Sequence, residues 1–269
     1  TYMLREFLDK LSEIGELKAI GKEVSTEFEI AAVLRKLEKI KGPVPLFTKV
    51  RDKKMRVVGN LASTRKRIAL SLGVKEDEIL PHYMQALDRP GKVKMVSNGP
   101  VKEVIKKGDD VDLNELPALR HYEKDEGNYI TAGVVIYKDP ETGVRTCSVH
   151  RMKIISKNKL LIDVETRPLL DYLIIAREKG KTIPVAIAIG FDPGTMLATV
   201  AEAPVGFEKL NLVEPLVGKP IELVKCETVD IEAPANAEIV IEGELDPHET
   251  MKEGVVGETS GYYVRGRVL

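Results

Sequence analysis

A chain of 269 residues exceeds one average domain and falls short of three, so two domains, or one large domain with an elaboration, are expected. Its 41 basic and 42 acidic side chains leave a net charge of −1, which offers no field to attract nucleic acid or an anionic membrane, and no apolar run is long enough to span a bilayer. The two cysteines, Cys147 and Cys226, are far apart and without CxxC spacing, which argues against a disulfide scaffold or a zinc site and fits a reducing cytoplasm.

The opening TYMLREFLDKL is amphipathic and lacks a signal-type apolar segment. Leu4, Phe7, Leu8, Leu11 and Ile14 form one stripe of a helix that Gly15 is placed to end. Thr26 and Glu29 have capping-box spacing ahead of Ile30, Val33, Leu34 and Leu37, which predicts a second amphipathic helix. Pro43 to Val50 and Met55 to Asn60 read as strands, the latter leading through Ser63, a candidate N-cap, into a third helix that ends at Gly73. Within this region Gly59 to Arg67, GNLASTRKR, reads either as a phosphate cradle or as a helix cap with a basic turn; it lacks the lysine-serine ending of a P-loop. Lys92 to Ile105 alternates and ends in Lys106-Lys107-Gly108-Asp109-Asp110, where the boundary is placed between an α/β unit, 1–108, and a second unit, 109–269.

Beyond the break the periodicity becomes that of strands. Tyr129 to Tyr137 and Val144 to Ile155 are two β runs joined by Asp139-Pro140-Glu141-Thr142-Gly143, a hairpin turn. Period two places Arg145, Cys147, Val149 and Arg151 on one face of the second run, and an arginine there needs a carboxylate or an anion. Pro168 to Gly180 reads as a crossover helix, and Ile183 to Gly190 as a buried strand closed by Asp192-Pro193-Gly194. Two further strands are predicted over Pro220 to Ile231 and Ala237 to Leu245.

These lead into EGELDPHETMKEGVVGETSGYY, 242–263, where Glu253 and Glu258 flank Gly254 and Gly257. Glycine permits a turn tight enough to aim both acids into one space, so the loop reads either as a site for proton chemistry or as a solvated acidic surface loop. The histidines, His82, His121, His150 and His248, have no metal-ligand spacing, and neither a GxSxG elbow nor a GxGxxG turn occurs. Arg151 with the two acids could hold a carboxylate substrate, one acid oriented by the arginine and the other donating a proton.

Several stretches together resemble the UbiD family of decarboxylases: VVGNLASTRKRIALSLGV (57–74), the run from DVDLNELPALRHYEKDEGNYI to CSVHRM (110–152), IPVAIAIGFDP (183–193), PIELVKCETVDIEAPANAEIVIEG (220–243) and KEGVVGETSGYY (252–263). They occur in family order and span nearly the whole chain. The resemblance implies an N-terminal α/β domain followed by a flavin-reductase-like split β-barrel that holds prenylated FMN. It also implies non-oxidative, reversible decarboxylation of an aromatic or α,β-unsaturated acid, with trans-anhydromevalonate 5-phosphate or a 4-hydroxybenzoate derivative as candidates. On this basis Glu258 is the proton donor, and Arg151 and Glu253 hold the substrate carboxylate. Thr146, Ser148, Val149, His150, Arg151 and Arg167 fall at the cofactor, and Glu208, or Lys209 beside it, falls at a divalent metal such as manganese.

Thr146 stands where the family usually has a ligating asparagine, and Ile162 to Pro168 lacks the arginine-aromatic pattern expected beside the cofactor. Both departures motivate the alternative of a noncatalytic paralogue acting as a binding or assembly subunit. A flavin prenyltransferase as cofactor supplier, a homo-oligomer, and absence of the family's C-terminal domain after Tyr263 are further expectations from the resemblance. The Lys- and Glu-rich charge, the lack of Trp and the single Gln85 resemble proteins adapted to high temperature.

Overall fold

The computed structural model describes residues 3–265. Helix α1 (Met3–Glu13) buries the stripe Met3, Phe7 and Leu11, and the chain turns where Gly15 takes a φ of 72°. It returns as β1 (Leu17–Ile20), which pairs in parallel with β2 (Val44–Phe47), and β3 (Val57–Val58) adds antiparallel to β2. The intervening α2 (Glu29–Lys39) forms as predicted but caps differently. Phe28, at φ 66°, inserts an extra turn residue, so the Glu29 carboxylate accepts from the Ser25 amide at 2.6 Å rather than from Thr26.

Thr64, not Ser63, caps α3 (Arg65–Leu72), accepting from the Arg67 amide at 3.3 Å. This settles the two readings of GNLASTRKR in favour of structure. Arg67 is 1% exposed and donates to the Asn60 carbonyl at 3.2 Å, the Ser63 hydroxyl at 2.8 Å, the Glu16 carboxylate at 2.9 Å and the Gly42 carbonyl. Its charge therefore joins three segments and is not presented to a ligand.

Helix α4 (Ile79–Asp88) had no counterpart in the sequence reading. Of Lys92 to Ile105 only β4 (Lys94–Met95) pairs, in parallel with β11 (Glu222–Lys225), because Gly99 and Pro100 divert the chain into a 3-10 turn. The long strand predicted over 220–231 is likewise short: it loops after Lys225 and re-pairs as β12 (Glu232–Pro234).

Each of the two long β runs is in fact a pair of strands in different sheets. The first divides into β5 (Tyr129–Ile130) and β6 (Val134–Lys138), the second into β7 (Arg145–Val149) and β8 (Met152–Ser156). Ile130 pairs with Met152 and Val134 with Val149, so three residues, 131–133, oppose only two, 150–151. Such a mismatch bends both strands together, as a β-bulge does. One sheet is antiparallel in the order β13-β10-β6-β7, using β10 (Ile183–Ile189) and β13 (Ile239–Leu245); the other is β5-β8-β9, with β9 (Lys159–Ile162).

Alternating residues give the larger sheet two apolar faces. Val134, Ile136, Cys147, Ala186 and Ala188 pack with Leu72, Ala86, Ala198 and Leu216, from α3, α4, α6 (Pro193–Thr199) and α7 (Val213–Val217). Val135, Tyr137, Val185 and Ile187 pack with Met152 and with Leu169, Tyr172 and Ala176 of α5 (Leu169–Glu178). Asp192, read as part of a turn, instead caps α6 by accepting from the Thr195 amide at 3.1 Å. The mixed α/β character of the chain is as expected. Among the described residues no helix is long and apolar enough to cross a membrane.

Candidate active site

The bulged corner between β7 and β8 holds His150 and Arg151. Because the strand breaks there, Arg151 no longer belongs to the face of Arg145, Cys147 and Val149. The β8–β9 hairpin carries the pairing of Met152 with Ile162 one step further, and the Asp163 amide donates to the Arg151 carbonyl at 3.3 Å. Arg151 therefore projects beside Asp163, with Nη2 at 2.5 Å from Oδ2.

The acid loop arrives from the other side. It is built as a hairpin of β14 (Val255–Gly257) and β15 (Tyr263–Arg265). Glu253 takes Arg151 in a bidentate grip, Nε to Oε1 at 2.8 Å and Nη2 to Oε2 at 2.9 Å, and Nη1 meets Glu258 Oε1 at 2.6 Å. Gly254 has a φ of 88°, and a Cβ there would also lie 2.3 Å from the Glu126 carboxylate. Gly257 is required for a different reason, close approach: its Cβ would lie 2.2 Å from the Tyr122 ring.

A second loop holds the first in place. Asp125 is buried, accepts from the His121 and Tyr122 amides at 3.2 and 3.0 Å, and accepts from the Gly257 amide at 2.7 Å. Glu126 accepts from the Val255 amide at 3.1 Å. The Tyr129 hydroxyl donates to Glu253 Oε1 at 3.3 Å, and the Lys153 ammonium donates to the Glu253 carbonyl at 2.6 Å.

These contacts divide the three acids by access. The side chains of Glu253 and Asp163 are 2% and 3% exposed, whereas that of Glu258 is 31% exposed. The Glu253 hydrogen bonds raise the affinity of Arg151 for its proton, against the opposing effect of burial, so the guanidinium is a permanent cation. Burial, with Glu253 beside it, raises the Tyr129 phenol, which stays a donor.

His150 joins this cluster from behind. Its Nδ1 lies 3.0 Å from the Asp163 carbonyl and its Nε2 lies 2.7 Å from the Ser148 hydroxyl, which is 3.1 Å from the Tyr137 hydroxyl. A carbonyl only accepts, so Nδ1 carries the hydrogen and Nε2 accepts from Ser148. Burial lowers the His150 pKa and favours this neutral ring.

Of the residues singled out from sequence, Arg151, Glu253 and Glu258 meet, and Ser148 and His150 lie beside them. Arg167 does not join the cluster: its side chain is 75% exposed and meets Asp171 at 3.5 Å. Thr146 is buried one position along β7 from Arg145, and Val149 is half-buried against the helical core. Glu208 is bound by Arg145, which also holds Glu232 at 2.5 Å.

The donor set suits a flavin and does not suit a divalent metal. His150 and Ser148 are engaged with one another, with the Tyr137 hydroxyl and with the Asp163 carbonyl, so the strand corner presents a neutral polar wall to a heterocycle, and the exposed Arg167 guanidinium can meet a phosphate. For a metal, Glu208 is already neutralised by Arg145, and among the described residues no group of three His, Cys, Asp or Glu side chains could hold an ion.

Asp163, Asp125, Tyr129 and Lys153 were not singled out from the sequence. Asp163 left no readable signal: a two-residue turn at Lys157 and Asn158 would set Val164 opposite Arg151, and the register shift between Ile154 and Ser156 brings Asp163 there instead. The others act through long-range contacts that no local pattern encodes.

Comparison with known proteins adds a context for this geometry. A family model described as the 3-octaprenyl-4-hydroxybenzoate carboxy-lyase (UbiD) N-terminal domain matches residues 8–87, and the Rift-related domain of the same carboxy-lyase matches residues 93–268. The anhydromevalonate phosphate decarboxylase of Methanothermobacter thermautotrophicus is 38% identical over 242 residues, covering 90% of this chain and 55% of that protein. An evolved dimeric form of the UbiD-class enzyme HmfF from Pelotomaculum thermopropionicum, in complex with prFMN, matches 100% of this chain and 63% of its own, with a TM-score of 0.95 and 37% identity. The vanillic acid decarboxylase of Sedimentibacter hydroxybenzoicus, in closed form, matches 100% of this chain and 60% of its own, with a TM-score of 0.94 and 28% identity. The chain thus spans less than two thirds of the length of these relatives.

Proposed function

This chain belongs to the UbiD family of carboxy-lyases, and from that premise we propose that it serves a non-oxidative, reversible decarboxylation of an α,β-unsaturated or aromatic acid with prenylated FMN. The observation that carries the reading is the grip of one guanidinium by Glu253 and Glu258 at a strand corner. We assign the flavin to the surface bounded by Thr146, Ser148, Val149, His150, Arg151 and Arg167. The two antiparallel sheets joined through the corner are read as parts of a split barrel around it. When bound, the flavin supplies the electron sink that lets the bond to the carboxylate carbon break.

The remaining steps fall to side chains of this chain. Arg151, fixed by Glu253, orients the substrate carboxylate; as the carbon–carbon bond breaks, carbon dioxide leaves, and Glu258 gives its proton to the carbon that lost it. Glu258 suits the delivery because it is the accessible acid of the three and can recover a proton from water. Tyr129 and Lys153 hold Glu253, one on its carboxylate and the other on its carbonyl, so the arginine keeps its aim.

Trans-anhydromevalonate 5-phosphate is the first substrate to try, given the likeness to an anhydromevalonate phosphate decarboxylase, with a 4-hydroxybenzoate derivative next. A homo-oligomer in a reducing cytoplasm, supplied by a flavin prenyltransferase, is the proposed setting. The test is co-expression with that prenyltransferase, followed by absorbance and mass measurement of the released ligand and assay of both acids. Bound prenylated flavin and turnover are expected, with Glu258→Gln keeping the flavin and losing turnover and proton exchange. Protein that loads no flavin where a known relative does would refute the reading.

A further inference from the structure

Resting on that reading, we propose that Asp163 is a positioning residue: with Glu253 it holds Arg151 so completely that Glu258 can let go of the guanidinium to act on substrate. Three carboxylates converge on one guanidinium, with contacts of 2.5, 2.6 and 2.8 Å, so the cation stays paired after any one of them leaves. Removing the last partner of a buried ion is costly, whereas removing one of three is much less so.

The geometry selects which acid leaves. Asp163 is fixed through its main chain on both sides, its amide on the Arg151 carbonyl and its carbonyl on His150, and its side chain is buried. Glu253 is held by Tyr129 and Lys153 as well as by Arg151. Glu258 is the most exposed of the three and makes one contact, Oε1 to Nη1. Among the described residues Arg151 is a cation paired with Asp163, Glu253 and Glu258 are anions that share that cation, and His150, on the Asp163 carbonyl, is neutral.

Without Asp163 the sign of the change is fixed. The guanidinium would lose one competing anion and pull harder on Glu258, so Glu258 would surrender its proton at lower pH and be slower to leave. Asp163→Asn is expected to shift the titration of the Glu258 carboxyl downward by roughly half a pH unit or more. This is read by carbon NMR of protein labelled at the glutamate carboxyls, with the resonance assigned from its absence in Glu258→Gln. In the flavin-loaded protein the alkaline limb of the rate profile is expected to move the same way.

An unchanged or raised Glu258 titration would overturn the proposal. Because Asp163 is buried, a second measurement leaves it intact: a crystal structure of Glu258→Gln, in which Arg151 is expected to keep both Asp163 and Glu253. A guanidinium that swings away from Asp163 there would overturn it too. Neither NMR nor crystallography needs turnover, so a protein that never decarboxylates would refute the proposed function and leave the clamp standing.

Discussion

Arg151 is held through three of its nitrogens by oxygens of three acids, a match of fork to fork that a point charge does not reproduce. Arg151→Lys keeps the charge and loses the bidentate aim. Turnover is expected to fall by about a hundredfold or more, since small misplacements of a positioning group cost that much, with flavin content retained. Steady-state kinetics on flavin-matched samples would measure it. At this scale the sequence was informative where chemistry is local: an arginine on a strand and two acids beside glycines already called for one another. It was silent on Tyr129 and Lys153, whose roles depend on an acid a hundred or more positions away.

At the scale of elements, the amphipathic helices α1, α2 and α5 and the buried strand β10 were readable because each buries one stripe or two faces of its own. The bulged corner was not, because both β runs stay apolar through the bend and hydropathy does not record a change of sheet. The acid hairpin is specified by exclusion: β14 ends at a glycine because the Tyr122 ring occupies the place of a side chain. Gly257→Ala is expected to push the hairpin from that ring and destabilise the fold by about 1–3 kcal/mol, measurable by urea denaturation. Glu258 would lose its register with Arg151, so proton exchange is expected to suffer beyond what stability alone accounts for.

For the molecule as a whole, basic groups are spent on holding segments together. Arg67 and Lys66 close on Glu16 and tie α3 to the chain between α1 and β1, and Arg145 ties β7 to Glu208 and Glu232. The Lys66 and then the Arg67 hydrogen bonds hold the Glu16 carboxyl below its ordinary value of 4.5. The unfolded chain therefore binds the proton first as pH falls. The stabilisation is full above 4.5 and is lost as pH drops through the lower folded value. Melting temperature is expected to decline as pH falls below 4.5, and less steeply in Glu16→Gln, which has already forfeited that term. Arg67 is buried and loses its anion in that variant, which therefore starts from a lower plateau.

Asp125 accepts three amide hydrogens, two from its own loop and one from Gly257, and so fastens the acid hairpin to a segment distant in sequence. A protease would meet the two loops as one object. Lys124 and Lys252 are both exposed, yet cleavage needs several residues drawn out into an extended form, and neither loop can yield them without releasing the other. Tryptic cuts at the two sites should appear together and slow together when a carboxylate ligand binds. Nicking would thus report whether the site is assembled without any need to watch it work.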